Sequence, residues 1–257
     1  MNALLETRSL TRAFGGLVAV NNIDMHVGEG EIVGLIGPNG AGKTTLFNLL
    51  AGSMEPSSGA VRFAGQDCTG FPAHRMARLG VARTFQITSL FPELTVADNV
   101  RAGTFRTKSS GWAGALLRTR TYAAEERAVT ARVDEILAFV GMGGRRDMPA
   151  KALPYGEQRK LEIAIALAAE PRLLLLDEPA AGMNPDEGAK LVQMIRSIRD
   201  RGITVLLVEH HMRVVMGVCD RVVVIGSGLK VAEGVPAQVA NDPEVIRIYL
   251  GREKIHA

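Results

Sequence analysis

The sequence predicts an α/β protein built on a mostly parallel sheet, and two observations carry that prediction. Short apolar runs recur at Ile32–Ile36, Leu173–Leu176, Thr204–Val208 and Val222–Ile225. Each is bounded by Gly, Asp or Glu and lacks clear alternation, as strands buried on both faces do. Helical patterns lie between these runs, and alternation of the two element types defines the class. A chain of 257 residues, 47% apolar and 22% charged, has apolar residues enough for a large core and fits a single domain over 1–257 with an inserted lobe.

The elements follow in order. Residues 1–30 and 59–67 hold short extended segments separated by polar and glycine turns such as FGG, VGEGE and SSGAVRFAG. These predict an antiparallel β lobe. The strand Ile32–Ile36 runs into a glycine-rich turn and then the helical TLFNLLAG. Residues 87–152 read as a helical subdomain, in which Val129, Val133, Ile136, Leu137 and Val140 form one apolar stripe. RTKSSGWAGALLRTRT, just before that stripe, reads as a surface excursion. After the strand Leu173–Leu176, a helix carries Leu191, Ile195 and Ile198 on one face; Asn184 caps it, Pro185 occupies its first turn and Glu187 completes a capping box.

Composition narrows the function. Net charge is +3, with Lys and Arg mixed among Asp and Glu, so no basic stripe marks a nucleic-acid partner. Cys68 and Cys219 stand alone and read as small buried hydrophobes of a reducing compartment. The opening MNALLETRSLTRAF is too interrupted by charge for a signal peptide. No window offers the roughly 18 uncharged apolar residues a spanning helix needs, so the chain is expected to work beside a membrane at most.

The turn after Ile36 is Gly37, Pro38, Asn39, Gly40, Ala41, Gly42, Lys43, Thr44 and Thr45, the spacing G-x-x-x-x-G-K-[ST]. Glycines let several N–H groups point at phosphate oxygens, and the next helix adds its positive end. Lys43 supplies charge for the β and γ phosphates, and Thr44 a hydroxyl for Mg²⁺. A glycine-rich turn with an incidental lysine would not need a buried strand before it and a helix after it. Asp177 and Glu178 end the LLLLDEP run, one placed to hold Mg²⁺ through water and the other to orient the attacking water. In VLLVEHHM a third strand brings Glu209, His210 and His211 to the same edge. Side chains alternate along a strand, so the two histidines are expected to point apart, with one facing a γ-phosphate.

In order, the P-loop, RTFQ, LPYGEQRKLEIA, LLLLDEP and EHHM resemble the nucleotide-binding subunits of ABC transporters over nearly the whole chain. The resemblance implies a P-loop NTPase core with the β lobe and helical subdomain above, binding ATP and Mg²⁺. It implies that Phe14 stacks on adenine. Gln86 would sense the metal and the water, Glu178 would be the catalytic glutamate, and His210 the switch histidine. Ala181, Gly182 and Asn184 would lie in a loop facing a partner subunit. Pro154, Tyr155, Gly156 and Glu157 match the signature motif that caps the partner's ATP, but Pro, Tyr and Glu replace its usual Ser, Gly and Gln. The site capped by this motif is therefore expected to be weaker than one capped by a full signature, which leaves room for two unequal ATP sites in a dimer.

Finer features, including DEPAAGMNP and the closing VIRIYLG, resemble the ATPase of bacterial branched-chain (hydrophobic) amino-acid importers. That implies a second ATPase subunit, hetero- or homodimeric and head-to-tail. It also implies two integral-membrane permeases, a periplasmic solute-binding protein, and a peripheral place on the cytoplasmic face of the inner membrane. Ile87, Leu90, Phe91 and Leu94 would grip a permease helix. Amide, urea and lipopolysaccharide-export ATPases share several of these motifs. A soluble ABC ATPase acting on nucleic acid, or a P-loop kinase or GTPase, fits less well: no second cassette or coiled coil is present, and LPYGEQ has no place in a kinase.

Overall fold

The computed structural model of the chain describes residues 3–84, 90–104 and 120–250. The backbone divides into two compact units, Met1–Arg83 with Arg172–Ala257, and Thr84–Pro171.

The first unit holds two sheets. Strands β1 (Ala3–Phe14), β2 (Leu17–Gly28), β4 (Ser58–Phe63) and β5 (Gln66–Asp67) pair antiparallel in the order β2-β1-β4-β5. Strands β3 (Ile32–Ile36), β6 (Val81–Arg83), β7 (Leu173–Asp177), β8 (Thr204–Val208), β9 (Arg221–Gly226) and β10 (Leu229–Gly234) form the second, in the order β10-β9-β3-β8-β7-β6. It is parallel except for the β9–β10 pair. The α/β class, the parallel sheet and the antiparallel lobe are all borne out.

Alternation of side chains explains why the central strands read as continuous apolar runs. Val33, Leu35, Leu173, Leu175, Leu206, Val208, Val223 and Ile225 share one core with Leu46, Phe47, Leu49 and Leu50 of helix α1 (Lys43–Leu50) and with the β lobe. The opposite face is covered too. A Cβ on Gly34 of β3 would sit 2.8 Å from Cys219 Sγ and 3.5 Å from Val215, which belongs to helix α7 (Met212–Val218). Helix α6 (Pro185–Asp200) buries Leu191, Ile195 and Ile198 and starts at the expected capping box, where Asn184 accepts from the N–H groups of Asp186 and Glu187. The unit is completed by α2 (Ala73–Leu79) and by α8 (Pro236–Ala240) and α9 (Pro243–Leu250) beside β10. Cys68 and Cys219 are free and buried, and burial pushes their thiols up to about 11 and about 12.

The second unit contains α3 (Val96–Gly103), α4 (Arg120–Phe139) and α5 (Tyr155–Ala168). The stripe Val129, Val133, Ile136, Leu137 and Val140 is buried throughout. Helices α3 and α5 meet closely at Gly103, where a Cβ would lie 2.2 Å from the carbonyl oxygen of Ile165. Buried Asn99 ties the preceding loop down, accepting from Phe91 N–H at 2.8 Å and donating to Phe91 and Thr95 carbonyls. No helix among the described residues is long and apolar enough to cross a membrane.

Candidate functional site

The phosphate loop joins β3 to α1. Its glycines are demanded by space as well as by conformation. Gly37 has φ 154 and its Cβ would meet Ile225 O at 2.1 Å; Gly42 has φ 104 and its Cβ would meet Ala19 O at 2.2 Å. Any side chain would push the loop off β9 or β2. The loop is also stitched to the hairpin lobe. Gly228 N–H donates to Ala41 O at 2.9 Å, and Asn21 N–H on β2 donates to Gly228 O at 2.8 Å. Lys43 is buried, and its ammonium donates to Gly37 O at 2.7 Å and Pro38 O at 3.0 Å. Thr44 is exposed in the first turn of α1.

Asp177 closes β7 and is buried, whereas Glu178 leaves the strand with φ 47 and is partly exposed. A non-glycine residue in the left-handed region is held there by its surroundings. Here Glu178 N–H donates to Val208 O at 2.9 Å, and Ala180 N–H donates to Glu209 Oε1 at 2.8 Å.

Sequence reasoning missed the group that meets Asp177. Arg83, at the end of β6, donates to Asp177 Oδ2 at 2.7 Å and to Asn48 Oδ1 of α1 at 2.6 Å. The pair is nearly dry, with side-chain exposures of 9% and 1%. Arg83 lies in the RTFQ segment used for the family resemblance, which gave no reason to pair it with a residue 94 positions away. Arg83→Met would leave the Asp177 carboxylate without that counter-charge. We expect it to cost about 3–5 kcal/mol of unfolding free energy, measured by denaturant titration, with Arg83→Lys recovering part.

The histidines require a correction. Residues of an extended strand point apart, and these two do not. Strand β8 ends at Val208, and the His210 and His211 rings lie together with centroids 4.1 Å apart. The cause is Glu209, whose buried carboxylate draws both following N–H groups inward and turns the chain. His210 Nδ1 lies 3.8 Å from Glu178 Oε1.

Phe14 sits at the end of β1, at the hairpin tip, 42% exposed, with the Arg12 guanidinium 4.8 Å from its ring centre. In the second unit, Pro154 is the N-cap residue of α5, and Tyr155, Gly156 and Glu157 form its first turn. The helix thus begins at Tyr155, within the LPYGEQ segment itself. Glu157 pairs with Arg145 at 3.3 Å, and the Tyr155 hydroxyl accepts from Arg159 at 2.8 Å. Phe91 and Leu94 are exposed and Leu90 is half-buried. Gln86 and Ile87 lie outside the described residues.

A strand–glycine loop–helix unit with a lysine in its first turn, beside a strand ending in two carboxylates, defines a nucleoside-triphosphatase cassette. The family model for ABC transporters matches residues 20–181, and a model described as a branched-chain amino acid ATP-binding cassette transporter matches residues 230–255. The high-affinity branched-chain amino acid transport ATP-binding proteins BraF of Pseudomonas aeruginosa and LivG of Escherichia coli K12 are each 42% identical, covering 96% of this chain and 98% of theirs. The lipopolysaccharide export system ATP-binding protein LptB of Acidithiobacillus ferridurans is 36% identical, covering 98% of both chains. Among solved structures, the ADP conformation of MJ1267, an ATP-binding cassette of an ABC transporter, superposes with a TM-score of 0.86 at 29% identity, covering 98% of this chain and 100% of that one. The chain belongs to the ABC transporter family, as its ATP-binding ATPase component.

Proposed function

We propose that this chain hydrolyses ATP to drive import of branched-chain or other hydrophobic amino acids through separate permease subunits. The observation that carries this reading is the match of residues 230–255 to the branched-chain cassette model, together with 42% identity to BraF and LivG along nearly the full chain. LptB, whose name speaks of lipopolysaccharide export, stands at lower identity. The whole chain is one ABC cassette, with 87–152 as its helical subdomain. It docks on the cytoplasmic face of the membrane and pairs head-to-tail with a second ATPase. The exposed Phe91 and Leu94, on a loop braced by Asn99, fit a permease contact.

Within the site, residues 37–45 present loop and helix N–H groups to the phosphates, and Lys43 turns from its loop carbonyls to the β and γ oxygens. Glu178 orients the attacking water, and His210 donates to charge developing on the γ-phosphate. Gln86 is assigned to sensing metal and water. Pro154, Tyr155, Gly156 and Glu157, at the positive end of α5, face the partner's triphosphate. Thr44 and Asp177 offer the hard oxygen donors Mg²⁺ takes, so the site fits that ion. When bound, Mg²⁺ neutralises phosphate charge.

Phe14 supports adenine by stacking. Phe14→Ala is expected to weaken ATP by about 1–3 kcal/mol, the range for a base–aromatic stack, and leave tripolyphosphate unaffected. Competition between the two ligands measures it, and equal competition before and after refutes the role. The solute class is tested by purifying the complex and screening its external binding protein against leucine, isoleucine, valine, urea and short amides. Selective binding of urea or amides would overturn the amino-acid reading.

A further inference from the structure

Glu209 is fully buried and has no Lys or Arg salt-bridge partner among the described residues. Putting a carboxylate in such a place costs several kcal/mol unless strong donors surround it. Its donors are these. Oε1 accepts from Ala180 N–H at 2.8 Å. Oε2 accepts from His210 N–H at 2.8 Å and His211 N–H at 2.9 Å, and His211 Nδ1 lies 3.1 Å away. Three backbone N–H groups thus meet its two oxygens.

The arrangement is divided between two loops. One oxygen holds the loop after β7, which starts with Glu178 and continues to Asn184. The other holds the loop after β8, which carries His210. Along the same seam, Glu178 N–H donates to Val208 O. A metal cradle is the competing reading, because ligand atoms of Glu209, His210 and His211 lie within 4.8 Å of one another. Both carboxylate oxygens are already turned to N–H donors, which is the wrong electrostatics for a cation.

We propose that Glu209 is a positioning residue that locks the Glu178 loop to the His210 loop, so that a displacement of residues 180–184 moves His210 with it. This rests on the motor reading above, in which that loop faces the partner subunit. An amide in this place must set its NH₂ against Ala180 N–H or against the His210 and His211 N–H pair, and opposed buried donors drive the loops apart.

The test is made in the assembled transporter. Glu209→Gln is expected to lower kcat for ATP at least about tenfold while KM moves less than about threefold, because the nucleotide-binding loop is untouched. Amide exchange at Ala180 is expected to rise in the variant while exchange in β3 stays as it was. Adding His210→Ala to Glu209→Gln is expected to cost little beyond His210→Ala alone, since both act through one imidazole. Glu209→Asp keeps charge and acceptors and is expected to recover part of the turnover; should the Gln variant not fold, the same cycle is run with Asp. Unchanged kcat and unchanged Ala180 exchange, or effects that simply multiply, would overturn the proposal. An unmutated complex that fails to hydrolyse ATP would remove the motor reading itself, whereas turnover that survives Glu209→Gln removes only the positioning role.

Discussion

Glu178→Gln is expected to bind ATP normally and to lose at least about two orders of magnitude in hydrolysis, the lower range for removing a group that handles the attacking water's proton. Each tenfold loss corresponds to about 1.4 kcal/mol of barrier. The amide has the shape of the carboxylate, and the backbone that presents it, with φ 47 and its N–H on Val208 O, does not depend on the side chain's charge. On the role proposed for Glu178, what disappears is a base aimed at water and a negative charge beside the γ-phosphate. ATP should therefore hold two cassettes together for longer. Phosphate release and size-exclusion chromatography with ATP measure the two halves of this prediction. Fast steady turnover in the assembled complex would remove Glu178 from its assigned role.

Lys43→Ala is expected to act one step earlier, on binding itself. In the structure the ammonium is held on Gly37 O and Pro38 O, within the loop proposed to take the triphosphate. A charged hydrogen bond contributes about 1.5–3 kcal/mol. Losing even one should weaken ATP by roughly 10- to 100-fold, with adenosine unaffected. Besides the lysine, the loop is restrained by the Gly228 N–H bond to Ala41 O and by the close approach of Gly37 and Gly42 to Ile225 O and Ala19 O. Calorimetric titration with ATP and adenosine checks the difference, and an unchanged ATP affinity would refute phosphate contact by Lys43.

The parts of this site that could be read from the sequence are those encoded locally. The glycine loop states its own backbone requirements, Asn184 and Glu187 state a helix start, and an apolar run ending in Asp177 states a strand that meets polar surroundings. Arg83 and Glu209 could not be read that way. Their meaning lies in partners 94 and 29 residues distant, which only the strand order β8-β7-β6 brings alongside. The misjudged histidines have the same origin. Strand alternation does not reach the three residues past Val208, where a buried carboxylate bends the backbone.

The stitch from Asn21 through Gly228 to Ala41 has a consequence for which nucleotides are accepted. The hairpin that ends in Phe14 and the loop that carries Lys43 are fixed to one another like the two jaws of a caliper set to one opening. On the proposed reading, with the base at Phe14 and the phosphates at Lys43, a ligand with a shorter or longer chain between base and terminal phosphate is expected to seat one end or the other, so that length is selected along with the base.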